Sequence, residues 1–292
     1  YTIQPYSPAA GTGLSSHELN QPGCYRNVKD TSAVAMFEAS GALPTALNIP
    51  ANIRVCFLAW TTTPWTLPSN TALAVGAEIQ YSAVHTFAPL WGEEVVVILA
   101  NDLVSKYFPE QNAQLDWSAY QAGDKNTPFK VLGSAMGKDL QGIHYQQLLP
   151  FQQSADGDAF RIITGDFVTT SDGTGIVHIA PSFGADDFRV AKQHGIGTLT
   201  LVDRRGRFLP VVADGQFLYG EEFVKEDYYS SEEKLAELAI QKDRLSGFIK
   251  DTSKLSYLSV DDRICLKLQH EKKLFKKEKY EHNYPHCWRT DK

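Results

Sequence analysis

Ile53-Arg54-Val55-Cys56-Phe57-Leu58-Ala59-Trp60, then Thr61-Thr62-Thr63-Pro64-Trp65-Thr66-Leu67-Pro68-Ser69-Asn70, then Thr71-Ala72-Leu73-Ala74-Val75 reads as strand, rigid turn and strand. The first run is rich in strand-forming residues and ends in three threonines. Two prolines follow, and each freezes φ and withdraws a backbone donor, so the turn has a fixed shape. Working outward, comparable short runs recur at Ile79–Thr86, Glu94–Leu99, Phe160–Thr164, Gly175–Ile179 and Thr198–Val202, with turn residues such as Ser171-Asp172-Gly173 between them. Many short strands with uneven connections predict a closed or nearly closed barrel rather than a doubly wound sheet.

Helices are few until the end. Asn101–Phe108 and Ala185–His194 are short, and Asp186 suits a helix N-cap. Ser230 with Glu233 forms a capping box ahead of Leu235, Leu238 and Ala239, which share one helical face. A further helix follows Ser259, with Ile264 and Leu268 on its buried side. The fold class is therefore α+β: a β-barrel-like core of many short strands with flanking helices, the C-terminal third more helical. Residues 1–50 read as extended lead-in strands, 51–220 as the β-rich core, and 221–292 as a helical part of the same domain.

The chain has 292 residues, 43% hydrophobic and 21% charged, an ordinary balance for a globular protein. No apolar run approaches the roughly 20 residues of a membrane-spanning helix, so no membrane partner is expected. The start, Tyr1-Thr2-Ile3-Gln4-Pro5, has neither the basic end nor the apolar stretch of a signal peptide and no Met, so a segment of a longer chain is expected. Four scattered cysteines, Cys24, Cys56, Cys265 and Cys287, are too few for a disulfide scaffold, which favours a reducing, cytoplasmic location. The net charge of −6 argues against a surface that grips nucleic acid broadly. RNA, if bound, is met locally, through one end of the strand.

Several chemistries are missing. There is no G-x-x-x-x-G-K loop, no G-x-S-x-G elbow and no cysteine in a recognisable nucleophile setting. His282, His286 and Cys287 lack a second pair of ligands, and Thr290 stands where a C-x-x-C site needs sulfur, so no metal is expected. Two segments remain. The threonine turn offers hydroxyls that donate and accept, with methyl groups that shape an apolar wall; it also reads as a plain strand-end turn. Gly173-Thr174-Gly175-Ile176-Val177-His178-Ile179-Ala180-Pro181-Ser182-Phe183-Gly184-Ala185-Asp186-Asp187 carries a strand histidine and a pair of acids at a helix start. Its plain reading is a satisfied structural histidine and a helix cap.

Together the two segments resemble the editing (CP1) domains of isoleucyl-tRNA synthetases. The resemblance rests on W-T-T-T-P-W-T-L-P-x-N, matched from Trp60 to Asn70, and on G-T-G-x-V-H-x-A-P-x-x-G-x-D-D, matched from Gly173 to Asp187. Valyl and leucyl editing domains resemble it only in part: they usually read T-T-R-P in the first segment and lack a histidine at the place of His178. Pro5-Tyr6-Ser7-Pro8 and Tyr284-Pro285-His286-Cys287-Trp288-Arg289 look like the family's entry and exit strands. Many relatives have Cys at the place of Thr290, where a zinc site forms, and the departure here agrees with no metal. The family's H-I-G-H and K-M-S-K-S motifs are absent, so ATP and magnesium are expected only in a catalytic body outside this segment, and no cofactor within it.

The resemblance implies hydrolysis of tRNA(Ile) wrongly carrying valine, and of valyl-adenylate as a further substrate. One methylene separates valine from isoleucine, a difference binding alone discriminates about 10–200-fold, a limit for which this family is the standard worked case. It also implies roles. Asp187 would bind the α-ammonium; Thr61, Thr62, Thr63 and Thr66 would line the pocket; Thr62, His178 and Asp187 would form the catalytic group. Trp65 and Asn70 would support the turn and the terminal adenosine. Expected partners are the valine-bearing acceptor end and the rest of the synthetase chain, with the protein a monomer. Two rivals stand beside this reading: a tRNA-binding module using Lys267, Lys272, Lys273, Lys276, Lys277 and Lys279, and a valyl or leucyl editing domain. That lysine run also reads as a solvated helix face.

Overall fold

The computed structural model describes residues 4–154 and 158–290. Tyr1-Thr2-Ile3, read above for a signal sequence, lie outside them. The described strands are β1 (Tyr6–Ser7), β2 (Thr12–Gly13), β3 (Tyr25–Ser40), β4 (Val55–Thr61), β5 (Ala72–Val75), β6 (Gln80–Phe87), β7 (Glu94–Ala100), β8 (Phe129–Met136), β9 (His144–Tyr145), β10 (Arg161–Thr164), β11 (Ile176–Ile179) and β12 (Leu274–Pro285). The helices are α1 (Ser16–Leu19), α2 (Val104–Tyr107), α3 (Gly137–Leu140), α4 (Ala185–Gln193), α5 (Ser231–Arg244) and α6 (Val260–His270). None is long and apolar enough to cross a membrane.

The main sheet runs β12-β3-β9-β10-β5-β11-β4-β7-β6-β8, and β3 also pairs with β4. That extra pairing closes β3, β9, β10, β5, β11 and β4 into a ring, so the barrel expected from the strand pattern is present. One edge of β4 lies along β3, and the other is shared in turn: Val55–Phe57 pair with β7 and Trp60 pairs with Val177 of β11, both parallel. The strands β7, β6 and β8 therefore peel away as an antiparallel flap. On the other side of the ring, β12 runs along β3 from Tyr25 to Ala35 as a two-stranded ribbon.

Side-chain alternation explains the continuous apolar run of β4. Val55, Phe57 and Ala59 point into the barrel with Ala33, Ala35 and Phe37 of β3. Cys56 and Leu58 point the other way, into a second core with Val34, Val84, Val97 and Phe108 beneath the flap. A strand buried on both faces has no polar face to show. Outside the barrel, α4 lays Val190 and Ala191 on Ala72, Ala74, Ile163 and Ile179. The alanines of β5 let the helix approach closely.

Three readings need correcting. Thr198–Val202 is not a strand and keeps only a bridge from Val202 to Phe208. The region after 221 is helical at α5 and α6 but also holds β12, whose charged alternation Lys276-Lys277-Glu278-Lys279 hides a strand exposed along one face. The Ser230 capping box of α5 is present, yet its apolar face is not buried: Leu235 is 69% exposed. The helix instead docks through buried Gln241, whose amide bonds Leu258 N–H (2.8 Å) and C=O (2.9 Å). By contrast α6 caps on Ser259 and buries Ile264 and Leu268 as expected.

Candidate active site

Parallel pairing of β4 with β11 sends both chains out of the barrel at the same end. After Trp60 comes the threonine turn; after Ile179 comes the loop Ala180–Gly184 that leads into α4. The two sequence segments thus meet in space. The G-T-G run makes this register possible. Gly175 has φ of +73°, and a Cβ there would lie 2.3 Å from the Ala100 Cβ, so no larger residue fits.

The turn is a 3-10 helix from Pro64 to Ser69. Thr61 Oγ1 accepts from Thr63 N–H (3.1 Å) and lies 3.3 Å from Thr63 Oγ1. Thr66 donates its hydroxyl to Thr63 C=O at 2.8 Å. Among the described residues the Thr62 hydroxyl makes no hydrogen bond within the protein, and its side chain is half-buried. It is a free hydroxyl of the turn, and unlike Ser69 it is not fully buried.

His178 stands behind the turn, 8% exposed. Its Nε2 is 2.8 Å from Thr66 Oγ1 and its Nδ1 is 3.4 Å from Asn70 Nδ2. Thr66 already donates to Thr63, so Nε2 must carry the proton and Nδ1 must accept. These partners assign a neutral tautomer. Burial holds its pKa down at about 4, so it remains neutral at physiological pH. Asn70, 1% exposed, accepts from Tyr145 O–H at 2.6 Å and donates to Ala72 C=O at 2.8 Å. A continuous chain of bonds therefore runs from Tyr145 through Asn70, His178 and Thr66 into the turn. Both nitrogens of the imidazole are engaged in it.

Asp187 behaves differently. It is the third residue of α4, half-buried, and its Oδ2 accepts from Ala180 N–H at 2.9 Å. A Cβ at Gly184 would fall 2.9 Å from the Asp187 carboxyl carbon, so glycine there lets the carboxylate fold back over the loop. Burial pushes its pKa up to about 6, with neighbouring Asp186 adding to the rise. Among the described residues no cation pairs with it. Asp186 is exposed and bonds Arg189 at 3.2 Å, and Arg189 also holds Asp166 at 2.8 Å. The helix cap is Gly184, without a side-chain bond, so the cap expected of Asp186 is not formed.

Trp65 packs edge-on against Phe183 with centroids 5.0 Å apart, locking the turn to the loop. Beside this contact is a cavity of about 580 Å³ lined by Trp65, Ser182 and Phe183 together with Lys225 and Asp261. Thr62, His178 and Asp187 are not in its walls, so it adjoins the threonine–carboxylate cluster without containing it. Asp261 bonds the turn directly, Trp65 N–H to Oδ1 at 2.8 Å. Sequence reading missed it, because a carboxylate on a distant helix gives no local sign of what it reaches.

No family model matches the chain. An isoleucine–tRNA ligase of Cytophaga hutchinsonii is 55% identical over 302 residues, all of this chain and 25% of that protein. One from Bacteroides fragilis is 49% identical over 297 residues, and one from Clostridium tetani 34% over 291, each spanning the whole chain.

The chain belongs to the isoleucyl-tRNA synthetase family.

It spans about a quarter of the length of these synthetases and matches their insertion region. Among solved structures, GlLeuRS-CP1 overlaps with a TM-score of 0.46 at 16% identity, covering 84% of this chain and 99% of that one. An overlap that distant adds nothing to the assignment.

The lysine run of the synthetase segment has little free charge. Lys267 pairs with Asp214 (3.0 Å) and Glu271 (2.6 Å), Lys276 with Glu278 (2.8 Å) and Lys277 with Asp262 (2.6 Å). Lys272 pairs with Glu93, Lys273 with Glu271, and Lys279 reaches Thr31 and Asp262. Nor is it one helix face, since Lys276, Lys277 and Lys279 lie on β12. His282 bonds Asp30, and His286 Nδ1 lies 3.1 Å from Tyr284 C=O.

Proposed function

We propose that this segment proofreads: it hydrolyses the ester of tRNA(Ile) mischarged with valine. The observation that carries the reading is Asp187, a desolvated carboxylate that no cation among the described residues pairs with, at the barrel end that also presents the Thr62 hydroxyl. A site that has stripped water from an anion and supplied no counter-charge is suited to a cationic ligand. The α-ammonium of an aminoacyl ester is such a ligand. Binding it would replace the lost hydration and draw the Asp187 pKa back down.

The ester is already activated, so water needs orientation more than an enzyme nucleophile. Thr62 is suited to hold that water or the ribose, and its neighbours Thr61 and Thr63 give the wall its shape. His178 is neutral and bonded on both sides, so it acts as a rigid back wall and a strut for Thr66. Asn70 and Trp65 act through the turn. Exclusion of isoleucine would then be steric: an extra methylene against a rigid wall costs roughly 1–3 kcal/mol. Valyl-adenylate shares the ammonium and the activated carbonyl and is a further substrate. The acceptor-end partner, the monomeric state and the cytoplasmic location belong to the same reading.

The rival of a non-catalytic tRNA-binding module drew on the lysine run, whose charges are already paired within the fold. Deacylation of tRNA(Ile) charged with valine or with isoleucine tests both, using the full-length protein that carries this segment. Hydrolysis of the valyl ester faster by roughly tenfold or more supports the proposal. Equal rates on the two esters remove the sieve, and binding without hydrolysis favours the rival.

A further inference from the structure

The threonine turn stands outside the sheet, and polar bonds hold it at three residues, Thr66, Asn70 and Trp65. Two of these are held from the barrel: Thr66 by His178, and Asn70, at the turn's end, by Tyr145 and His178. The third is held from α6, where Asp261 Oδ1 accepts from Trp65 N–H at 2.8 Å across 196 residues of sequence. Trp65 immediately follows Pro64, and its amide sits midway between Thr63 and Thr66. It falls on the residue next to Thr66, so the middle of the turn is held by the barrel through Thr66 and by α6 through Trp65.

Asp261 is the second residue of α6 and only 5% exposed. Its Oδ2 lies 3.9 Å from Lys225 Nζ, and the same ammonium is 3.2 Å from Asp30 Oδ2. We propose that Asp261, backed by the Lys225 ammonium, is a positioning residue that sets the threonine turn for hydrolysis of the aminoacyl ester. This rests on the proofreading function proposed above.

A neutral acceptor could serve one amide at less desolvation cost, so a buried carboxylate here calls for a reason. An ionised acceptor bonds about twice as strongly as a neutral one, which suits a turn whose hydroxyls must be held to a fraction of an ångström. Lys225 makes that ionisation affordable. Burial, Asp30 and Asp262 push the Asp261 pKa up, while Lys225 and the Trp65 amide hold it to about 7. Tyr284 also faces Lys225. Trp65, Lys225 and Asp261 all line the adjoining cavity, so the charge pair that braces the turn borders the space beside it.

The test uses the full-length protein and four measurements: steady-state hydrolysis of valyl-tRNA(Ile), its pH profile, thermal melting, and the Trp65 indole resonance in a 1H–15N spectrum assigned with Trp65→Phe. Asp261→Ala is expected to lower kcat by about 10–100-fold with KM little changed, the penalty of displaced catalytic groups. Asp261→Asn keeps a neutral acceptor for the amide, so it should recover part of that loss and lack the acid limb that Asp261 protonation gives the parent. The Trp65 resonance should move in the alanine variant and return in the asparagine one. Lys225→Met should shift the acid limb of kcat to higher pH, because the carboxylate loses its cation. Unchanged kcat in Asp261→Ala, or equal losses in both Asp261 variants, overturns the inference. Should Asp261→Ala fail to fold, an unmoved acid limb in Lys225→Met overturns it instead. A parent protein that hydrolyses neither ester refutes the proposed function, and the Trp65 resonance then decides the positioning role by itself.

Discussion

Asp187 and His178 are both desolvated, with opposite consequences. The pKa of Asp187 is raised to about 6, so the native state holds that proton more tightly than the unfolded chain does. Its contribution is unfavourable above about pH 6 and fades as pH falls toward the unfolded value near 4. Asp187→Asn should therefore raise the melting temperature at pH 8 by roughly 2–4 °C and change it little at pH 4. The same variant should lose most valyl-ester hydrolysis, since a stabilised site without its charge cannot hold an ammonium. In the parent, kcat/KM should fall as pH drops from about 7 through about 6, where first Asp261 and then Asp187 gains a proton. Asp186→Ala breaks only an exposed pair with Arg189 and should leave activity nearly intact. Equal losses at the two positions would remove Asp187 from its role. His178 is depressed to about 4 by burial, so the stability it contributes is full above about pH 6.5 and declines below that. Replacing it with alanine strands Thr66 and Asn70 and opens a void, costing roughly 2–4 kcal/mol in urea melts. The opened wall should also admit isoleucine, seen as new hydrolysis of isoleucyl-tRNA(Ile). A variant that weakens valyl hydrolysis and gains none on isoleucine would move the sieve to the threonine turn.

At the scale of elements, helix patterns and burial part company. The helix α6 places Ile264 at 0% exposure in the barrel's core, and Ile264→Ala should cost roughly 2–5 kcal/mol. The more obviously patterned α5 leaves Leu235 exposed, so Leu235→Lys should change stability by no more than about 0.5 kcal/mol. Chemical denaturation of the two variants side by side checks the contrast. The strand β12 shows the same limit from the other direction. Its lysines and glutamates read as a solvated helix, yet β3 offers an edge from Tyr25 to Ala35, and pairing satisfies its backbone. Edge pairing is a long-range event that local propensity does not encode.

For the whole molecule, the basic run shows how charges distant in sequence are brought together by the fold. Six lysines that form a basic run in sequence each meet an acid, several from elements far away, such as Glu93 and Asp214. Lys276→Ala with Lys277→Ala should therefore leave KM for valyl-tRNA(Ile) within about twofold and the salt dependence of binding nearly unchanged. A steep loss of affinity in that double variant would restore the run as an RNA contact. The sequence by itself determined most of the barrel's short strands, the rigid Pro64–Pro68 turn, the two motifs and the family they belong to, because these depend on local chemistry and on residue order. Tertiary structure alone decided what those residues face. The pairing of β3 with β4 closes the ring, and the parallel entry of β11 beside β4 brings His178 against Thr66 across 112 residues. It also gave Asp261 a target, left Thr62 without a partner and Asp187 without a cation among the described residues, and made Asp186 an exposed partner of Arg189 rather than a helix cap. Burial and partnership arise from the summed packing of distant segments, and no window of sequence contains both sides of such a contact.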